Sequence, residues 1–365
     1  MSMENGEQLE RLRHFYSRCD PARSVPADDP DGWYVDFDAK GLRGQPCITR
    51  LGTKIQLAER PLCQLFTGFS GSGKTSELSR LAKRLRDNGY YVLHVDIERH
   101  LDLTQPIDYP DVLIALGVAV DDELYSDPTN KAGQWTRRFT AEVRNLLFSK
   151  VELDKLELKV GVDTAGTQFG YRLRGNTVLL EEIRRAAGNR RDELLKQTRA
   201  YFERADKYVR TSLGYSQGLV LLVDNLEKMP TELPQIHEAA HALLLGQSRA
   251  LRAPGVHTIY TFPPRLAFSP ARRTLLQLYD GDPLVLPMVK VSERPSGEPL
   301  PEGIAALEDL MLRRLDVEEV FGGDLALVSA LVAQCGGYAR ELLQLGRGAI
   351  EAALEVGQGL PLGRA

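Results

Sequence analysis

The sequence is poor in cysteine. Its 365 residues hold four, Cys19, Cys47, Cys63 and Cys335, and none belongs to a C-x-x-C pair. That scarcity excludes a disulfide scaffold and leaves no zinc-ribbon spacing. His237-Glu-Ala-Ala-His241 has an i, i+4 pair, but no third ligand is in evidence, so no metal is expected there. Long apolar runs are missing too. The longest, such as Leu113–Val120, fall far short of the ~20 residues that span a bilayer, so no membrane partner is expected. Charge of one sign is also lacking: Lys+Arg 46 against Asp+Glu 50 leaves a formal net charge of −4. A near-neutral total argues against a general polyanion binder. The first thirty residues carry Glu4, Glu7, Glu10, Asp20, Asp28 and Asp29 and no apolar core segment. An export signal is therefore not expected, and the thiols are expected to stay reduced in a cytoplasmic protein.

What is present is ordinary globular composition, 43% hydrophobic and 26% charged. At ~150 residues per domain the length suggests two domains, or one large domain with a satellite. Residues 1–50 read as an N-terminal segment. In it Leu9, Leu12 and Phe15-Tyr16 mark a short amphipathic helix, and Cys19–Asp31 is a Pro- and Asp-rich loop. Residues 51–291 read as the core. Residues 292–365 begin with a Pro/Gly/Ser linker at 292–302 and continue as a small helical domain, with helices expected over Ile304–Leu315, Asp324–Cys335 and Tyr338–Val356.

In the core, strands and helices alternate. Leu62–Thr67, Tyr90–Ile97, Gly218–Val223 and Val256–Thr261 are strand candidates, with Leu284–Val289 a weaker one broken by Pro287. Thr75–Asp87 carries Leu78, Leu81 and Leu85 on one helical stripe, and Gly52–Glu59 reads as a short helix. Strands separated by helices call for crossovers, so the expected fold is α/β with a parallel sheet. An insertion covers about 120–215. It holds helical spacing at Thr136–Ser149, a period-two hairpin at Leu156–Arg174, and helical spacing again over Thr177–Leu213 with a break at Gly188-Asn189.

The sharpest signal is Gly68-Phe-Ser-Gly-Ser-Gly-Lys-Thr75, a match to G-x-x-x-x-G-K-[ST] between a strand and a helix. Glycines at 68, 71 and 73 let backbone N–H groups converge on phosphate oxygens. Lys74 supplies a point charge for the β/γ-phosphates, Thr75 a hydroxyl for Mg²⁺, and the helix its N-terminal dipole. Ser70, Ser72 and Ser76 complete the candidate nucleotide-binding stretch. The second signal is Leu219-Val-Leu-Leu-Val-Asp224. A carboxylate at the tip of an all-apolar strand is costly without a partner, and Mg²⁺ is the natural one, so Asp224 and Thr75 are the candidate metal ligands.

The order of P-loop strand, outer strand, Asp-tipped strand, polar-ended strand and helical domain resembles the AAA+ superfamily of P-loop ATPases. Val223-Asp-Asn-Leu-Glu-Lys-Met229 most resembles the replication-initiator-like and STAND-type branches, which include prokaryotic ATPases in genome-defence loci. The resemblance covers roughly residues 35–355 and implies ATP and Mg²⁺ as cofactors, an ATPase core and a C-terminal helical lid. By the same resemblance Thr261 ends a sensor 1 strand, Arg340 in Gly336-Gly-Tyr-Ala-Arg340 is a sensor 2 group, and Arg43-Gly44 lines the adenine pocket. A finger arginine acting on a neighbouring subunit would be Arg265, Arg272 or Arg273.

One departure bears on chemistry. Many AAA+ members carry Glu directly after the strand-tip Asp, where this chain has Asn225. An amide cannot accept a proton, and general-base help is worth about 10²–10⁴-fold; Glu227 is the candidate substitute. Slow hydrolysis is expected, which suits a nucleotide-dependent switch assembling with itself or with a partner effector protein. A DNA-bound initiator or loader is the alternative, although only about ten residues follow the lid. Its contact would come from residues 172–210, with nine Arg and two Lys against six acids. Either a phosphate-backbone contact or a solvated helix face laced with i, i+4 pairs explains that charge. A phosphoryl-transfer kinase fits the Asp-tipped strand and helical tail poorly.

Overall fold

A computed structural model describes residues 2–126, 135, 139–147, 177–357 and 359–362. The chain divides into two compact units. One comprises Leu51–Thr67 and Leu81–Val285; the other comprises Met1–Arg50, Gly68–Arg80 and Leu286–Ala365.

The first unit is built on a five-stranded sheet of order β2-β3-β4-β1-β5. The strands are β1 (Cys63–Gly68), β2 (Tyr90–Asp96), β3 (Gly218–Asp224), β4 (His257–Thr261) and β5 (Leu284–Leu286). Strands β2, β3, β4 and β1 pair in parallel, which establishes the α/β class read from the sequence. The register matches Asp96 to Asp224, Val223 to Tyr260 and Phe66 to Thr261. Within this unit Thr67, Asp224 and Thr261 stand at the carboxyl ends of β1, β3 and β4 and so share that edge of the sheet. All seven residues of β3 are buried, because helices cover both faces and an unbroken apolar run is what such a strand requires.

Between β2 and β3 lie the helices Tyr109–Ser126, Phe139–Leu147, Thr177–Asn189 and Arg191–Thr211. The expected break at Gly188-Asn189 falls between the last two. The hairpin expected at 156–174 lies outside the described residues. Tyr109–Ser126 is buried on every side from Val112 to Val118, which removes the periodicity that marks a surface helix. Gly117 admits the Phe139 ring so closely that a Cβ there would stand 2.0 Å from a ring carbon. Beside it the buried carboxylate of Asp121 accepts hydrogen bonds from the Tyr201 hydroxyl (2.7 Å), the Phe139 backbone N–H (2.8 Å) and the Trp135 indole N–H (3.3 Å). A buried carboxylate with that many donors is satisfied, not stranded.

The second unit has its own core. Leu12 and Phe15 of the helix Ser2–Arg18 join Val35, Phe37 and Leu42 against Leu307, Met311, Leu342 and Ile350 of the C-terminal helices. The N-terminal segment and the helical tail, read separately from sequence, thus share one apolar cluster. Gly336 and Gly337, both at positive φ, end the helix Leu325–Cys335 and turn the chain into Ala339–Glu355. Only glycine fits at 337, where a Cβ would stand 2.2 Å from the Val289 carbonyl oxygen. The four cysteines are buried and free. Among the described residues no helix is long and apolar enough to cross a membrane.

Two consequences are measurable. Gly117→Ala drives a methyl group into the Phe139 ring, and overpacking of this kind costs about 1–3 kcal/mol. Thermal melting is expected to fall by several degrees, and an unchanged midpoint would contradict the packing. Burial also lowers the pKa of His100 and of His257, whose Nδ1 accepts the Leu62 N–H. A histidine harder to protonate when folded adds stability that is present above about 6.5, the unfolded value, and is lost as pH falls toward the lowered folded value. Denaturation midpoints measured from pH 7.5 to 5 are expected to drop, and less so for His257→Gln.

Candidate functional site

The glycine loop lies in the second unit. It follows β1 and ends where the helix Lys74–Asp87 begins. Gly71 and Gly73 have φ of +80° and +89°, a region that L side chains rarely adopt. At Gly71 a Cβ would stand 2.6 Å from Cβ of Arg340, so the bare backbone is also a condition of that approach. The Lys74 ammonium donates to the carbonyls of Gly68 (2.9 Å) and Phe69 (3.1 Å), folding its side chain along the loop. Ser72 Oγ is buried with no hydrogen-bond partner among the described residues. Positive-φ glycines, a lysine at the helix start and an unsatisfied buried hydroxyl fit a phosphate group. Thr75 follows as a hard oxygen of the kind Mg²⁺ takes.

Both ends of the chain hold this loop. Arg43 is buried, its Nη2 donating to the Ser72 carbonyl at 2.7 Å and its Nη1 to Glu77 Oε1 at 3.0 Å, with the guanidinium over the Phe37 ring. Arg43 thus braces the loop and its helix. Tyr34 also donates to Glu77, at 3.1 Å, and Arg80 donates to the Tyr34 hydroxyl and, at 3.0 Å, to Asp36. Burial pushes the Glu77 carboxyl upward, and the charges of Arg43 and Arg80 pull it back. Ser76 accepts the Val25 N–H at 3.0 Å, so its hydroxyl oxygen serves the N-terminal segment. From the C-terminal side, Arg340 stands in the first turn of Ala339–Glu355 and donates from Nη1 to Ser70 Oγ at 3.0 Å. The glycine turn at 336–337 fixes where that helix starts, so it sets the reach of Arg340.

The Asp-tipped strand belongs to the first unit. Asp224 is buried, and His94 Nε2 lies 3.3 Å from its Oδ2. Asn225 adopts φ +75°, and its side-chain amide donates to Asp96 Oδ1 at 2.7 Å. The Leu226 N–H that follows donates to Thr261 Oγ1 at 3.1 Å. Thr261 and Asn225 therefore pin the turn after β3, and Glu227 sits in the short 3₁₀ turn Leu226–Lys228. His94 and Asp96 were missed in the sequence. Their signal is a period of two on β2, which puts both on one face of the strand beside the tip of β3. Among the described residues no group of three or more His, Cys, Asp or Glu is arranged to hold a metal, His237 and His241 included.

The arginines expected to serve elsewhere are largely engaged. Arg265 donates to the Thr231 carbonyl, and Arg272 forms a two-pronged pair with Asp282, while Arg273 is exposed. In the basic stretch Arg184 grips the buried Asp111 (2.6 Å) and the Pro106 carbonyl. Arg185 pairs with Glu182, Arg190 donates to the Leu146 carbonyl, and Arg191 lies over the Tyr109 ring. Arg199, Arg204 and Arg210 pair with Glu203, Glu142 and Asp206.

No family model and no curated protein matches the sequence. Among solved structures the chain is similar to the Walker-type ATPase PABY2304 of Pyrococcus abyssi. The TM-score is 0.35 at 13% identity, with 93% of this chain and 79% of that one covered. A likeness so loose carries no assignment of function.

The brace around the loop has a testable energetic signature. Arg43→Met leaves the Glu77 carboxylate buried with fewer partners, and breaking a buried pair costs about 3–5 kcal/mol. The double variant Arg43→Met/Glu77→Met removes both charges and is expected to recover more than half of that loss in chemical denaturation. Equal destabilisation of the single and double variants would show that the pair is not coupled.

Proposed function

We propose that this chain binds ATP with Mg²⁺ at the glycine loop and works as a nucleotide-dependent switch. One observation carries the reading: the loop is gripped by Arg43 from one end of the chain and touched by Arg340 from the other. A triphosphate on the loop would meet Arg340 directly, since a guanidinium already hydrogen-bonded at Ser70 is within reach of an anion bound there. Occupancy would then bias where the C-terminal helices sit, and a biased two-state element is what a switch needs.

In this reading the loop amides and Lys74 hold the phosphates, and the hydroxyl of Thr75 and the carboxylate of Asp224 are the oxygen ligands offered to Mg²⁺. The metal would supply charge neutralisation of the phosphates. Turnover is slow because the position after Asp224 is an amide tied to Asp96, and Glu227 is the carboxylate left to orient water. The product of occupancy is assembly, with a second copy or with a partner effector protein; Arg273, exposed beyond β4, is the arginine offered to a neighbour.

The test is nucleotide binding with Mg²⁺, light-scattering mass and phosphate release. Lys74→Ala is expected to weaken ATP binding roughly 10–100-fold, the worth of a hydrogen bond to a charged group. Steady-state turnover is expected roughly 10²–10⁴-fold below about 10 per second, and lower again in Glu227→Gln. Arg340→Ala is expected to weaken ATP binding less than Lys74→Ala does, and to lose the mass change that a non-hydrolysable analogue produces. No affinity for any nucleotide with Mg²⁺ overturns the reading. Fast turnover, or Glu227→Gln without effect, overturns the slow-switch part of it.

A further inference from the structure

A second concave site lies in the first unit, at the opposite edge of the sheet from Asp224 and Thr261. It is a cavity of about 800 Å³ at the amino ends of β1 and β4. Arg60 precedes β1, Lys196 and Arg199 stand one turn apart on Arg191–Thr211, and Arg249 and Arg252 follow the π-turn Ala242–Gly246; all five line it. Asp192 is the one carboxylate in the lining. The walls between these charges are apolar, with Leu62, Leu195, Val256 and Leu278 among them.

The charges are not balanced within the fold. Arg252 is matched by Asp280 (3.0 Å) and Arg199 by the exposed Glu203 (3.3 Å). Arg60, Lys196 and Arg249 form no ion pair among the described residues. Elsewhere on the same long helix the described arginines are paired or stacked, so this local excess stands apart. Like charges gathered at a concave, partly apolar mouth repel one another, and an anion relieves that repulsion.

The wall is also preformed. Asp280 accepts the Cys63 N–H at 2.7 Å while holding Arg252, which donates to the Leu278 carbonyl at 3.2 Å. Gly255 has φ +65°, and a Cβ there would stand 3.1 Å from the Arg199 guanidinium. The missing side chain leaves that guanidinium its room beside the turn. The Cys63 thiol, also in the lining, is pushed by burial up to about 12 and is not a nucleophile.

We propose that this cavity binds a phosphorylated small molecule of nucleotide size, separate from whatever the glycine loop takes. Three cations without an ion-pair partner among the described residues ask for a ligand with at least two negative charges. Apolar walls ask for a non-ionic body such as a base or sugar, and the volume falls within the ~300–1,000 Å³ of small-ligand sites.

The test uses the full chain with Lys74→Ala, which weakens the glycine loop, and reads the difference that Lys196→Ala/Arg249→Ala makes on that background, so that failure of the ATP reading does not decide this one. Calorimetric titrations use ADP, inorganic pyrophosphate and a twelve-nucleotide single strand. Saturable one-to-one binding of ADP is expected, with or without binding of pyrophosphate, and weakening with salt. Adding Lys196→Ala/Arg249→Ala is expected to weaken it at least tenfold with an unchanged melting temperature, because both side chains are exposed. Arg185→Ala, a surface control on the neighbouring helix, is expected to change nothing. Pyrophosphate binding without ADP would identify a bare-anion site and overturn the nucleotide-sized ligand. Absence of binding, indifference to Lys196→Ala/Arg249→Ala, or binding confined to the single strand overturns the proposal.

Discussion

The buried pair between Arg43 and Glu77 is the constraint from which the second unit is organised. Each side chain is only 3% exposed, so neither charge keeps its hydration. Such a pair contributes little net stability, since desolvation offsets most of the attraction, but it penalises any arrangement that separates the partners. Glu77 lies one turn into the helix after the glycine loop, and Arg43 also holds the Ser72 carbonyl in that loop. The N-terminal segment therefore cannot leave without stranding a carboxylate, and the loop cannot relax without losing a charged donor. Tyr34 and Arg80 widen the brace, and the hydroxyls of Ser76 and Ser79 accept backbone N–H groups from residues 25 and 27. A helix start that would ordinarily fray is held on several sides.

The C-terminal side works by a different device. No ion pair fastens Arg340 to the loop; a single hydrogen bond to an exposed serine and the close passage over Gly71 do so. What fixes its position is backbone geometry at Gly336 and Gly337, where a left-handed turn brings residue 337 against Val289. The two grips on the loop thus differ in strength. The N-terminal one is buried and charged, the C-terminal one exposed and polar, and water can replace the second at little cost. The element that moves in the proposed switch is the one held by the weaker grip.

Much of this was legible in the sequence. All five strands appear within one to three residues of their expected bounds, because buried parallel strands are short apolar runs bounded by turn residues. The glycine loop was legible because its residue types have few other uses. Three things were not. Tyr109–Ser126 is apolar around its whole circumference at its centre, so its period vanishes. The shared core of residues 12–42 with the C-terminal helices was hidden because an amphipathic stripe shows that a face is buried, not against what. The partners of Arg184, Arg190 and Arg191 were hidden because a charge count cannot see a buried aspartate 73 positions away or a backbone carbonyl. The excess of cations at 172–210 left both a polyanion contact and a solvated, ion-paired helix face open, and most of the described arginines there instead tie helices together.

The same distinction between counting charge and tracing its partners separates the two edges of the sheet. At the carboxyl edge the polar groups are occupied with one another: Asn225 with Asp96, Thr261 with the Leu226 N–H, His94 beside Asp224. Side chains tied into a turn hold it in place, and in the proposed switch an amide at position 225, where a carboxylate would orient water, favours holding a nucleotide over cleaving it. At the amino edge Arg60, Lys196 and Arg249 have no ion-pair partner among the described residues. Groups that stabilise the fold are found paired; groups gathered and left unpaired cost it electrostatic repulsion. In the proposed site that repulsion is relieved by a bound anion, and the sign of the cluster gives the sign of its ligand.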